Sequence, residues 1–262
     1  MNNEMIEVYK HRNYVVSKSN DIVQKSRYEL SVTEQRAIAY ICSLIKPVNI
    51  LDSIKGVLWQ LEYEFNIVDY ARTCGISADN GRIYEETKNL LKGLIQRVMW
   101  IELPDGTETT VNWVSKVWTN KRSGKARIRI DEDIAPYLFE LQEKFVSYGL
   151  LNILAMKSQY SIRLYELFKS YAYRSVKVFD IGELKRLLMV NDIKSYERYP
   201  DFRRFVLEPA QKEINRLTDL NILYEPITKG RKVIKIKFII QHKDIMERLS
   251  AEQTVNNELD KE

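Results

Sequence analysis

A chain of 262 residues is long enough for one large or two ordinary domains. Its 45% hydrophobic and 11% aromatic content supplies real cores and excludes a disordered chain, and no run approaches the roughly 20 apolar residues of a membrane span. The net charge of +5 is uneven: between Arg174 and Arg248, 17 Lys and Arg face 11 Asp and Glu, so the positive field, and any bound nucleic acid, belongs to the second half.

Met1 to Lys10 has no signal-peptide apolar region, so the chain is expected in the cytoplasm, and Met1 to Lys25 is polar and expected to be a partly ordered arm. Ser31-Val32-Thr33-Glu34 is a capping box. It launches a helix with Ile38, Ile41, Cys42 and Ile45 on one face, which Pro47 ends. Cys42 reads as plain core. Cys42 and Cys74 lack C-x-x-C spacing and His11 and His242 stand far apart, so no metal site is expected.

Val57 to Glu64 alternates like a strand, Asn66 caps a short helix through Tyr70, and Gly75 closes it. Ser77 to Gly81 reads as a turn. The longer helix Tyr84 to Gln96 turns Leu90, Leu91, Leu94 and Ile95 inward. Its outer side mixes Glu85, Glu86, Lys88 and Lys92, a poor clamp for phosphate. Val98 to Leu103, Thr109 to Trp118 and Ala126 to Ile130 suggest a small antiparallel sheet, the last run basic on its outer face. Ile134 to Tyr148 reads as a connecting helix, and Ser158 opens another with Leu164, Leu167, Phe168 and Tyr171 on one face.

Thereafter the plan repeats. Phe65-Asn66-Ile67-Val68-Asp69-Tyr70-Ala71-Arg72 aligns without a gap on Phe179-Asp180-Ile181-Gly182-Glu183-Leu184-Lys185-Arg186, with six of eight pairs alike in kind. Each copy is followed by a turn, a longer helix and a hairpin whose last strand alternates basic and apolar residues, so one unit occurs twice. In the second copy Pro200 suits a first helical turn, and Leu207, Ala210, Ile214 and Leu217 line a core face. Opposite lie Arg204, Gln211, Lys212 and Asn215, with Arg198 and Arg203 at the leading end. These are the side chains that reach phosphates and base edges. Ile222 to Pro226 and Lys232 to Ile239 then flank Thr228-Lys229-Gly230. A helix with a basic leading end plus a basic hairpin describes a winged helix-turn-helix; the plainer reading is a solvated amphipathic helix beside a lysine-protected edge hairpin. Pro209 should kink or divide the helix. Ser250 to Glu262 is polar and acidic, and is expected to be loose.

Tyr28 to Arg36 resembles the opening helix of the replication initiators of iteron-containing bacterial plasmids. Asp180 to Lys185, Asp201-Phe202-Arg203-Arg204 with Leu207, Glu213-Ile214-Asn215, and Lys229-Gly230-Arg231-Lys232 with Ile236 resemble the second domain of that family. The resemblance runs from about Asn20 to His242. It implies an α+β chain of two tandem winged helix-turn-helix domains related by pseudo-twofold symmetry: residues 26–145 as the first domain, for dimerisation and DNA contact, and 146–249 as the main DNA-reading domain, with 250–262 as a flexible tail. It implies monomers on directly repeated double-stranded sites at an origin, recruitment of the host helicase and polymerase, and dimers, in equilibrium with the monomer, that repress their own gene. By position, Arg198 and Arg204 would read bases, and Arg203, Lys212, Lys229, Arg231 and Lys232 would hold phosphates. In the first domain only Arg82, Lys88 and Lys92 are weak counterparts.

No G-x-x-x-x-G-K-[ST] string cradles a nucleotide, and the histidines are too few and too distant for metal-assisted nicking. The expectation is therefore a binding protein with neither catalysis nor cofactor. The alternatives are a repressor of the same fold without initiator activity, and a nuclease or primase.

Overall fold

The computed structural model describes residues 3–46, 59–77, 81–141 and 144–261. Residues 3–25 are not an arm. They form α1 (Asn3–Arg12), β1 (Val15–Ser19) and α2 (Asn20–Lys25), followed by the short β2 (Ser26–Arg27). Polarity conceals the core role of this segment. Val16, Ile22 and Val23 are buried, and so is Lys18, because its ammonium lies 2.6 Å from the Glu166 carboxylate. Ser19, within the expected arm, caps α2 by accepting the Asp21 N–H.

The capping box is formed as expected at the start of α3 (Val32–Leu44), whose Ile38, Ile41 and Cys42 are buried. β3 (Glu62–Asn66) leads into α4 (Ile67–Thr73), where the Asn66 side chain accepts the Val68 N–H at 2.8 Å. Val57 and most of the expected 77–81 turn lie outside the described residues. After α5 (Ile83–Ile95) come β4 (Val98–Glu102), β5 (Glu108–Asn112), β6 (Val114–Asn120) and β7 (Lys125–Ile130). The expected single sheet is two. The run from Thr109 breaks at the buried Trp113, leaving β5 in a β2–β4–β5 sheet and β6 in a β3–β7–β6 sheet.

The connecting helix over 134–148 is also corrected. Among the described residues of that stretch only α6 (Ala135–Phe139) is helical; β8 (Phe145–Gly149) is extended and pairs antiparallel with β1, Val16 opposite Tyr148. Val146 and Tyr148 are buried at strand spacing, and their partner strand comes from the segment that reads as an arm.

α7 (Leu151–Leu154) and α8 (Gln159–Tyr171, capped by Ser158) lead to the second unit. There β9 (Val176–Asp180), α9 (Ile181–Leu187), α10 (Tyr199–Phe202), a π turn over Arg203–Leu207, α11 (Glu208–Leu217), β10 (Leu220–Lys229) and β11 (Lys232–His242) follow in order. The two units share one order of strand, short helix, longer helix and hairpin. Asp180 caps α9 as Asn66 caps α4, and Phe179 and Phe65 are both buried beside those caps. In each unit the last hairpin strand is central, pairing with the strand before the short helix: β7 with β3, and β11 with β9. Both are winged helices, the first carrying the β4–β5 hairpin as an insertion.

The tail is not loose. Residues 245–259 form α12 (Ile245–Leu259), opened by a second capping box at Asp244 and Glu247, with Ala251, Val255 and Leu259 buried. Its polar composition hides a narrow stripe at four-residue spacing that is enough to dock one face.

Candidate nucleic-acid interface

In the second unit the reading helix is assembled from three pieces. Pro200 sits in the first turn of α10 and Pro209 in the first turn of α11, where a missing N–H costs nothing. Between them the chain widens into the π turn, and the Glu208 N–H reaches the Arg203 carbonyl five residues back. Pro209 is thus accommodated without breaking the rod. Phe202, Val206, Leu207, Ala210, Ile214 and Leu217 are buried along one side.

The opposite side carries the expected cations, differently engaged. Arg198 precedes α10 with its side chain 77% exposed, 3.6 Å from Asp201. Arg203 is held by Glu208 at 3.0 Å, whereas Arg204 has its guanidinium 5.2 Å from the Phe205 ring centre. Lys212 is exposed two turns beyond Arg204. Gln211 and Asn215 do not join them. Gln211 donates to the Ile222 carbonyl at 2.8 Å, and Asn215 both donates to that carbonyl, at 3.0 Å, and accepts the Ile222 N–H at 2.6 Å. Those two amides rivet the helix to β10 and so set the angle between reading helix and wing.

The wing is the β10–β11 hairpin. Lys229 pairs with Lys232 across Gly230 and Arg231, and Gly230 takes a φ of +61°, the conformation its two-residue turn needs at the first position. Lys229, Arg231 and Lys232 are all exposed at this tip. Pro226 is tolerated because β10 is an edge strand. A further cation joins the site: Lys185, on α9, lies over the Phe202 ring at 5.3 Å and donates to the Glu197 carbonyl. Burial, opposed by Glu197 and reinforced by the charge of Lys232, lowers its pKa. Sequence reading could have found Lys185 from its place in the repeated motif.

In the first unit the expected residues are less concentrated. Arg82 precedes α5, Lys88 pairs with Glu85 at 3.7 Å, and Lys92 is exposed on the outer face. The β6–β7 wing brings Lys121 within 6.0 Å of the Tyr84 ring at the start of that helix, with Arg122 exposed beside it. Sequence reading did not single out these tip residues, although the hairpin of the repeated unit ends there. Trp118 lies between Lys116 and Arg127, at 4.9 and 4.4 Å. Glu62 and Glu64 neutralise part of the strand face, pairing with Arg127 at 3.5 Å and Lys125 at 2.6 Å. Among the described residues no three His, Cys, Asp or Glu side chains converge as a metal site, and no helix is long and apolar enough to cross a membrane.

Residues 15–169 match the family described as "Initiator Replication protein, WH1", and residues 180–240 match "Initiator Rep protein, WH2". The chain belongs to the initiator replication protein family. Within that family it is 25% identical over 235 residues to a "Replication initiation protein" of Escherichia coli, covering 87% of this chain and 69% of the relative. A "PI protein" of Escherichia coli is 25% identical over 183 residues, covering 61% of this chain and 60% of the relative. A crystal structure of the Pi initiator protein in complex with iteron DNA superposes with a TM-score of 0.68 at 21% identity, over 89% of this chain and 99% of the other. That likeness establishes the two-winged-helix fold, and the first family match runs on through α8 nearly to its end.

Proposed function

We propose that this initiator binds directly repeated double-stranded DNA sites, iterons, at a plasmid origin, and brings host helicase and other replication proteins to them without itself performing chemistry. Its place of action is then the cytoplasm, on plasmid or nucleoid DNA. The observation that carries the reading is the second winged helix: Arg198, Arg203, Arg204 and Lys212 along the exposed side of the reading helix, and Lys229, Arg231 and Lys232 at the wing tip. Membership of the family, and the iteron DNA held by a relative of the same fold, support it. Arg198 and Arg204 read bases in this scheme, and Arg203, Lys212 and the wing cations hold phosphates. The first unit adds a weaker contact through Arg82, Lys88 and Lys92, and dimers formed through it repress the chain's own gene.

A bidentate arginine on guanine discriminates by about 1–3 kcal/mol, whereas a phosphate contact carries no sequence information. Footprinting and salt titration on duplexes selected by the wild-type chain separate the roles. Arg204→Ala should relax sequence preference. Lys232→Ala should weaken binding to every sequence and reduce the salt slope by about one. A footprint unchanged in Arg204→Ala removes that residue from the reading role. Salt-independent duplex binding by the wild-type chain removes the reading altogether.

A further inference from the structure

Among the contacts that join the winged helices in the described residues, two helices carry buried or charged ones. The first is α8, whose Glu166 faces Lys18 of the first unit while Tyr165 and Lys169 bond Asp219 of the second. The second is α12, which leaves the second unit after β11 and returns to the first. Arg12 of α1, only 2% exposed, is its receptor. One guanidinium nitrogen of Arg12 donates to Asp260 at 2.8 Å and to Asn256 at 3.0 Å. The other two donate to the Thr73 and Arg72 carbonyls that end α4, at 3.2 and 3.1 Å. Tyr9 also donates to Asp260. Leu259 lies so close to Gly75 that a Cβ there would stand 2.6 Å from its Cδ2. Two residues before Asp260, Glu258 pairs with Arg216 on the reading helix α11. One turn of chain therefore grips the short helix of the first unit and the reading helix of the second.

A single line of contact between two bodies leaves rotation about it free, and inter-domain motion is the default where nothing else restrains it. A second contact made by other elements removes that rotation. We propose that Arg12, Glu258 and Asp260 are positioning residues: through α12 they fix the angle between the two reading heads, and so make the chain selective for the spacing between the two DNA segments the heads contact. The spacing arm rests on the proposed function; the angular arm does not.

The test uses the full chain with nitroxide labels at Arg122→Cys and Arg231→Cys, one on each wing tip, since Cys42 and Cys74 are buried. The wild-type background should give one narrow distance distribution, and Arg12→Gln with Asp260→Asn a distribution at least twice as broad. The DNA probe is the duplex that the wild-type chain selects from a random pool, with one to five base pairs inserted between its two protected segments. Wild type should lose tenfold or more in affinity on insertion. The double variant should bind the parent duplex about tenfold more weakly and distinguish the insertions by less than twofold. Labels that stay narrow in a folded variant, or unchanged spacing selectivity, overturn the proposal. If the double variant fails to fold, Glu258→Gln carries the same readouts, and Arg216→Glu with Glu258→Arg should restore the narrow distribution. A wild-type chain that selects no duplex, with labels that still broaden in the variant, defeats the proposed function and leaves the clasp standing.

Discussion

The Glu166 carboxylate lies among Lys18, Tyr28 and Tyr148, with the Arg163 guanidinium nearby, stacked at 4.7 Å on the Tyr28 ring and donating to the Ser26 carbonyl. Burial alone would raise its pKa, but the Lys18 charge and the hydrogen bonds from Lys18 and Tyr148 hold it below the ordinary carboxylate range. Removing one partner of such a pair leaves an uncompensated charge, so Glu166→Gln should cost about 3–5 kcal/mol in urea unfolding. The apolar pair Lys18→Met with Glu166→Leu should recover most of that loss. A single-variant cost under about 1 kcal/mol would show that the pair is not truly desolvated. Neither residue was marked in the sequence, because a lysine in a polar N-terminal stretch and a glutamate on a helix carry no sign that they meet. At the reading helix the cations were legible as a set, but their partners were not. Glu208, four residues beyond Arg204, engages Arg203 instead, since the intervening π turn shifts which side chains share a face.

Among the elements, the helix–wing joint depends on two amides that the sequence offers equally well as base readers. Asn215 lies about three helical turns beyond Arg204, and Asn is a common reader of adenine. In the folded chain β10 runs alongside and claims it. Asn215→Ala should cost about 1–3 kcal/mol by leaving the Ile222 N–H unsatisfied, and should speed hydrogen exchange at that amide. Unaltered exchange there would place the joint elsewhere. Elements with local signatures were legible: the capping box at Ser31, the Asn66 and Asp180 caps, and the Lys229 to Lys232 turn are written into neighbouring residues. β1 and β8 were not, because each is short, half-polar and extended only because the other, about 130 residues away, pairs with it.

At the scale of the whole molecule, four of the carboxylates that tie distant segments of the described residues together share one electrostatic sign. Glu34 meets Arg97 at 2.7 Å, Glu166 meets Lys18, Glu258 meets Arg216, and Asp260 meets Arg12. For Glu34, Glu166 and Asp260 burial pushes upward, but the hydrogen bonds and cations outweigh it; for Glu258 the Arg216 hydrogen bond dominates. All four are lowered. A carboxyl whose folded pKa lies below its unfolded one contributes stability that is present above the unfolded value and lost as pH falls through the folded value. The urea midpoint should therefore hold nearly level from pH 7 to about 5 and decline below about pH 4. A midpoint that rises on acidification would reverse the sign of these contacts.

What the sequence by itself determined is the repeated unit: two caps, two longer helices and two basic hairpins, each encoded by residues within a few positions of one another, together with the surplus of positive charge in the second half. Only the tertiary structure decided the roles of the two ends. The N-terminal 25 residues complete a sheet and a buried ion pair, and the C-terminal helix clasps one winged helix to the other through Arg12. Those roles depend on contacts between residues up to about 250 positions apart. A local pattern reports what a segment can form, whereas burial beside a distant partner determines whether a polar stretch is core or solvent-facing.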